Sequence, residues 1–164
     1  MSDFFSQPVI CNTGPLIALS RASVGSLLPQ LFPKVVTTQE VLAELTAKDA
    51  GDADAIQTTL AGIEIIKVTQ PDALLTTELD IGEASVIQAA QDLNWLNVLI
   101  DERRARRIAA DVYGLAVRGT CAILIQAKRR GLLSRVRPAI ETMMAGGYFI
   151  GPQLQAECLR LAGE

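Results

Sequence analysis

Apolar and polar positions along this chain follow two rhythms. Short runs in which nearly every position is apolar, such as VIC at 9–11 and VLI at 98–100, are followed by longer stretches whose apolar residues recur every three to four positions. Runs of the first kind predict strands buried on both faces, and stretches of the second kind predict amphipathic helices. In chain order the pattern predicts a strand at 9–12, a helix at 15–21, a short apolar segment VGSLLPQLF at 24–32 and a strand at 34–37. A helix within TTQEVLAELTAK at 37–48, another at 52–60 and a strand at 64–68 follow. Next come a helix through DIGEASVIQAAQDLNW at 80–95, a strand at 97–100, a helix at 102–114, a strand at 115–119 and a helix at 120–131.

Local signals sharpen these boundaries. Pro15 is tolerated in a first helical turn, where its missing N–H has no helical partner. Thr37 and Glu40 have the spacing of a capping box, Thr120 is the expected N-cap of its helix, and Gly114 is a C-terminal glycine. In the helix at 102–114, Ala105, Ile108, Ala109 and Val112 define the expected buried face. Strands alternating with helices imply an α/β sandwich around a mainly parallel central sheet. No repeat, low-complexity tract or linker divides the chain, so it is read as a single domain over 1–164 with a C-terminal helical tail at about 134–164.

The composition, 49% apolar and 20% charged residues over 164 positions, is that of a folded domain and excludes a disordered chain. No leader or bilayer-spanning apolar run is visible, which predicts a cytoplasmic protein without membrane attachment. Cys11, Cys121 and Cys158 are far apart and set among apolar residues, so they are read as small core residues rather than a disulfide framework. The chain has no histidine. That excludes Ser-His-Asp and Cys-His catalysis and every histidine-ligated metal, and leaves hydrolytic chemistry to carboxylates and an oxygen-loving cation.

A net charge of −3 conceals a strong segregation. Residues 101–137 hold ten basic side chains against three acidic ones, whereas the remainder holds five against fifteen. A basic flank beside an acidic region suits a polyanion held through its phosphates, and it equally describes two solvated helix faces. Among the carboxylates, Asp101 follows a buried strand, where it can be a helix N-cap or a ligand at the sheet's carboxyl edge. Glu83 follows Asp80 at capping-box spacing, and Glu44 borders a helix face defined by Val41, Leu42 and Leu45. Asn12 also ends a strand. If its strand neighbours that of Asp101, both side chains meet in one crevice that Glu44 and Glu83 can enter. Such an oxygen-rich set selects Mg²⁺ or Mn²⁺, and the chemistry it implies is phosphodiester hydrolysis.

Taken in order, NTGPLIAL, VLAEL, IGEA, LIDERRAR and RGT followed by IL and AKRRG resemble the PIN-domain proteins, in an uncharacterised branch related to the VapC-type toxins. The resemblance implies a three-layer α/β/α fold, an acidic metal site for Mg²⁺ or Mn²⁺ and endoribonuclease activity on single-stranded or structured RNA. It places the family's acidic positions at Asn12, Glu44, Glu83 and Asp101, as metal ligands and catalytic residues. Asn12 stands where the family usually has aspartate, which removes one negative charge from the site. Arg103, Arg104 and Arg107 form a basic ridge expected to hold the nucleic acid, with Lys128, Arg129 and Arg130 extending it. Arg106 is expected to pair with Glu102. As a toxin relative, the protein is expected to have a small antitoxin partner and to form a homodimer. The competing readings are a nucleic-acid-binding module without catalysis and a signalling receiver domain. The latter needs paired acids where this chain has Cys11 and Asn12.

Overall fold

A computed structural model describes residues 3–48 and 52–164. After a single 3-10 turn at Phe4–Ser6, the order is β1 (Val9–Cys11), α1 (Thr13–Arg21), α2 (Leu27–Leu31), β2 (Val35–Thr38), α3 (Gln39–Lys48), α4 (Ala53–Leu60) and β3 (Glu64–Ile66). It continues with α5 (Ala73–Glu78), α6 (Ile81–Leu93), β4 (Asn97–Leu99), α7 (Arg103–Asp111), β5 (Ala116–Arg118), α8 (Thr120–Arg129), α9 (Arg137–Ala145) and α10 (Pro152–Leu161). The strands form one parallel sheet in the order β3-β2-β1-β4-β5. Every residue of β1, β2 and β4 is buried, and because successive side chains point to opposite faces, helices must cover both sides. The architecture is the expected α/β/α sandwich.

The chain first runs outward from β1 through β2 to β3, and then returns to place β4 on the other side of β1. This reversal opens a crevice at the carboxyl ends of β1 and β4. It also removes the receiver-domain reading, whose sheet sets the third strand beside the first; here β3 is an edge strand. One contiguous apolar cluster spans the sheet and includes Val136, Ile140, Met143, Ile150 and Cys158 from the tail. No helix among the described residues is long and apolar enough to cross a membrane.

Several local expectations are corrected. Thr38, not Thr37, caps α3: its Oγ1 accepts from Val41 N at 3.1 Å, while Thr37 Oγ1 donates to Cys11 O at 2.7 Å. Glu102, not Asp101, caps α7, accepting from Ala105 N at 2.7 Å. Thr120 is the first residue of α8 rather than its cap. Val112 lies outside α7 and is 58% exposed, because the helix ends a residue earlier than its apolar spacing suggests. Helix α5 went unpredicted. Its six residues are too few for a periodic signal, and Asp72, accepting from Leu75 N, holds its first turn.

Thr38 is fully buried and also shares a 2.7 Å hydrogen bond with Ser85 Oγ on α6. Replacing it with valine keeps its shape and removes both bonds, so the urea midpoint should fall by the equivalent of about 1–3 kcal/mol. An unchanged midpoint would put the cap elsewhere.

Candidate metal centre and nucleic-acid interface

Parallel pairing of β1 with β4, in the register Cys11 with Leu99, carries both chains to the same sheet edge. Asn12 is tied there by its own N–H, which donates to Leu99 O at 3.0 Å. Its side chain lies at the N-terminus of α1 but makes no capping bond. Although the residue is 5% exposed, Asn12 Oδ1 has no hydrogen-bond partner within the protein. A buried, unpaired amide oxygen is costly, and in a native structure it points to an absent donor or ion.

All four site positions named from the sequence share one crevice. Asn12, Glu44, Glu83 and Asp101 line one crevice of about 210 Å³, together with Thr13, Gly14, Ile17, Asp80 and Glu102. Glu44 arrives from α3 and is held by Thr13 Oγ1, which donates to Glu44 Oε2 at 2.8 Å. It comes this close because Gly82 has no side chain, since a Cβ there would stand 2.5 Å from Glu44 Oε2. Glu83 arrives from α6 in a complete capping box with Asp80. Burial, reinforced by the charge of Asp80 and then by Glu102 and Glu44, pushes its carboxyl up to about 7.

Asp101 is the most constrained of the set. Its Oδ1 accepts from Thr120 N at 2.7 Å, and its Oδ2 accepts from Thr120 Oγ1 at 2.6 Å and from the Tyr148 hydroxyl. The carboxylate thus caps α8 from the loop after β4, which leaves Thr120 no capping work of its own. A carboxylate has about four acceptor sites, so three donors leave one on Oδ1.

These donors fit a hard divalent cation: an orphaned amide oxygen, a carboxylate with one acceptor position left, and acids that repel one another without a countercharge. Among the described residues, no three acidic side chains form a preassembled ligand cluster. Mg²⁺ tolerates that, because it keeps several waters and uses only one or two carboxylates. The crevice volume exceeds several times the ~30 Å³ share of a liquid water.

Beside the crevice, α7 carries Arg103, Arg104 and Arg107 on its exposed side. Arg103 lines a cavity with Asp101, whereas Arg104 is paired with Glu78 on α5. Arg106 does not pair with Glu102; it donates to Ile100 O at 2.7 Å, bracing the loop that leads to Asp101. The structure does not bring Lys128, Arg129 and Arg130 to this ridge. They end α8, and Lys128 lies about 12 Å along the helix axis from Thr120. There Lys128 binds Glu164, and Arg130 donates to Leu31 O and faces Asp3. Sequence reasoning does not mark Thr13, Gly82, Thr120 or Tyr148 as site residues. Gly82 lay within the IGEA signature and Thr13 directly follows Asn12, but Tyr148 is 47 positions from Asp101 and nothing in its own neighbourhood marks it.

The DUF3368 family model, described as a PIN domain, matches residues 8–164. PIN domains are nuclease-type domains that generally depend on divalent metals. No curated protein matches the chain.

Two outcomes are expected from this geometry. Gly82→Ala should displace the end of the Glu44 side chain while improving helix propensity by about 0.5–1 kcal/mol. Calorimetry should then show weaker Mn²⁺ binding at an undiminished melting temperature, and parent affinity would remove Glu44 from the site. In metal-free protein, Glu83 keeps a proton that the unfolded chain loses near pH 4.5, so stability should fall as pH rises from about 4.5 to 7 and then level off. Melting curves across that range should show the decline in the parent but not in Glu83→Gln, where the capping box survives.

Proposed function

Since the chain belongs to the PIN-domain family, we propose that it is a metal-dependent endoribonuclease cutting RNA at the crevice between β1 and β4. The observation that carries this reading is the convergence of Asn12, Glu44, Glu83 and Asp101 on one crevice, with Asn12 Oδ1 buried and unpaired. Asn12 Oδ1 and the Asp101 carboxylate would hold the cation, with Glu44 and Glu83 facing it from α3 and α6. When bound, Mg²⁺ or Mn²⁺ lowers the pKa of water and stabilises the charge that develops on a phosphodiester.

The protein's own groups supply position and charge. Thr13 fixes Glu44, and Thr120 fixes Asp101. Arg103 and Arg107, for which no ion pair is found among the described residues, offer guanidinium groups to the flanking phosphates. Among the described residues no aromatic side chain lines the crevice, and Tyr148, which reaches Asp101, has its hydroxyl already engaged. Base stacking is therefore a minor source of selectivity, and the strand is read mainly through its backbone.

A second reading, a binding module without catalysis, draws on Asn12 itself, because an amide oxygen ligates a cation without neutralising it. One experiment separates them: cleavage of a labelled single-stranded RNA in Mn²⁺ by the parent, Asn12→Asp and Glu83→Gln, alongside Mn²⁺ calorimetry. The nuclease reading expects cutting that chelation abolishes, loss of at least tenfold in rate in Glu83→Gln, and tighter Mn²⁺ binding in Asn12→Asp. A parent that binds RNA without cutting, beside an Asn12→Asp form that cuts, would establish the binding module. Cleavage by Glu83→Gln at the parent rate would refute the site.

A further inference from the structure

The hydroxyl of Tyr148 donates to Asp101 Oδ2, the same oxygen that receives the Thr120 hydroxyl. Tyr148 belongs to neither strand nor helix. Helix α9 ends at Ala145, and the Gly146–Gly147 pair reverses the chain, with Gly147 at φ +92°, where side chains are disfavoured. Tyr148 N then bonds Met143 O at 3.0 Å, closing the turn on a fully buried methionine. This reversal sends the tyrosine back towards the sheet edge, while the next residue, Phe149, is left 80% exposed. A turn settled by apolar burial alone would favour the phenylalanine. The polar tip is what reaches the interior, and it passes the first turn of α1, where a Cβ on Gly14 would stand 3.4 Å from the Tyr148 hydroxyl.

Two hydroxyl donors on Oδ2 and one amide donor on Oδ1 hold the carboxylate in one orientation, with its remaining acceptor position on Oδ1. We infer that Tyr148 is a positioning residue for the metal site: by engaging Oδ2 of Asp101, it fixes the orientation of that carboxylate at the crevice and couples the tail to metal binding. The inference rests on the proposed reading of Asp101 as a metal ligand. It assigns the tail segment a share in the site, rather than packing alone. Hydrogen bonds to ligating carboxylates commonly change metal affinity 10–100-fold when lost.

The test is Mn²⁺ calorimetry, with thermal melting, on the full chain and two variants. Tyr148→Phe removes only the hydroxyl and should weaken Mn²⁺ binding about tenfold, with the melting temperature close to the parent's. Tyr113→Phe is the control for losing a phenol–carboxylate bond as such, because the Tyr113 hydroxyl donates to Asp72 Oδ2 at 2.6 Å, outside the crevice lining. It should leave Mn²⁺ affinity unchanged. Parent affinity in Tyr148→Phe would overturn the inference while leaving the metal reading intact. A matching loss in Tyr113→Phe would also overturn it, by showing a general effect. If the parent itself binds no Mn²⁺, the metal reading fails first and the inference falls with it.

Discussion

The pairing of β1 with β4 is the contact on which the rest of the molecule depends. Each strand contributes only three residues, yet the register between them decides which side chains stand at the carboxyl edge. A slip of one residue would turn every side chain of a strand to the opposite face and break the Asn12 N–H bond to Leu99 O. Because these strands lie where the chain reverses its direction across the sheet, their ends are free of crossing connections. Helices α1 and α7 leave the edge on either side, and α3 and α6 bring their acids in from the flanks.

Gathering acids at one edge carries an electrostatic cost, which the fold offsets by giving most of them structural work. Glu102 caps α7, Asp101 caps α8, and Asp80 with Glu83 closes the first turn of α6. Each of those helix N-termini presents unsatisfied N–H groups and a partial positive charge, which favours a carboxylate nearby. The helices radiating from the crevice thus stabilise its negative charge while the crevice stabilises their ends. For Glu83 the capping role is compatible with the ligand role proposed above, and Asp101 caps α8 rather than the helix that follows it.

Much of this could be read in the sequence. Strand-then-helix alternation follows from the burial period, so the α/β class and almost every element were visible, and with them the strand ends that carry Asn12 and Asp101. The basic residues show where such reading stops. Helical period identifies a face but says nothing about which end of a helix meets the sheet's carboxyl edge, so Lys128 to Arg130 looked contiguous with Arg103 to Arg107. Capping was misread by a single residue at Thr37 and Thr38, because both threonines suit the role and only the sheet register decides between them. Tyr148 was invisible for a deeper reason: its place depends on a turn after α9 that has no local reference to Asp101.

Asn12 and Asp101 differ in how a change of residue would reach the rest of the molecule. Asp101 joins three donors from two other segments, so nearly any replacement disturbs a helix end as well as the crevice. Asn12 holds its place through its backbone, and its side-chain oxygen bears no structural bond. Exchanging amide for acid at this position would break no side-chain hydrogen bond of Asn12 Oδ1, but would add a buried charge among the neighbouring acids. At Asn12, therefore, a single base change would alter the charge of the crevice while leaving its hydrogen bonds in place.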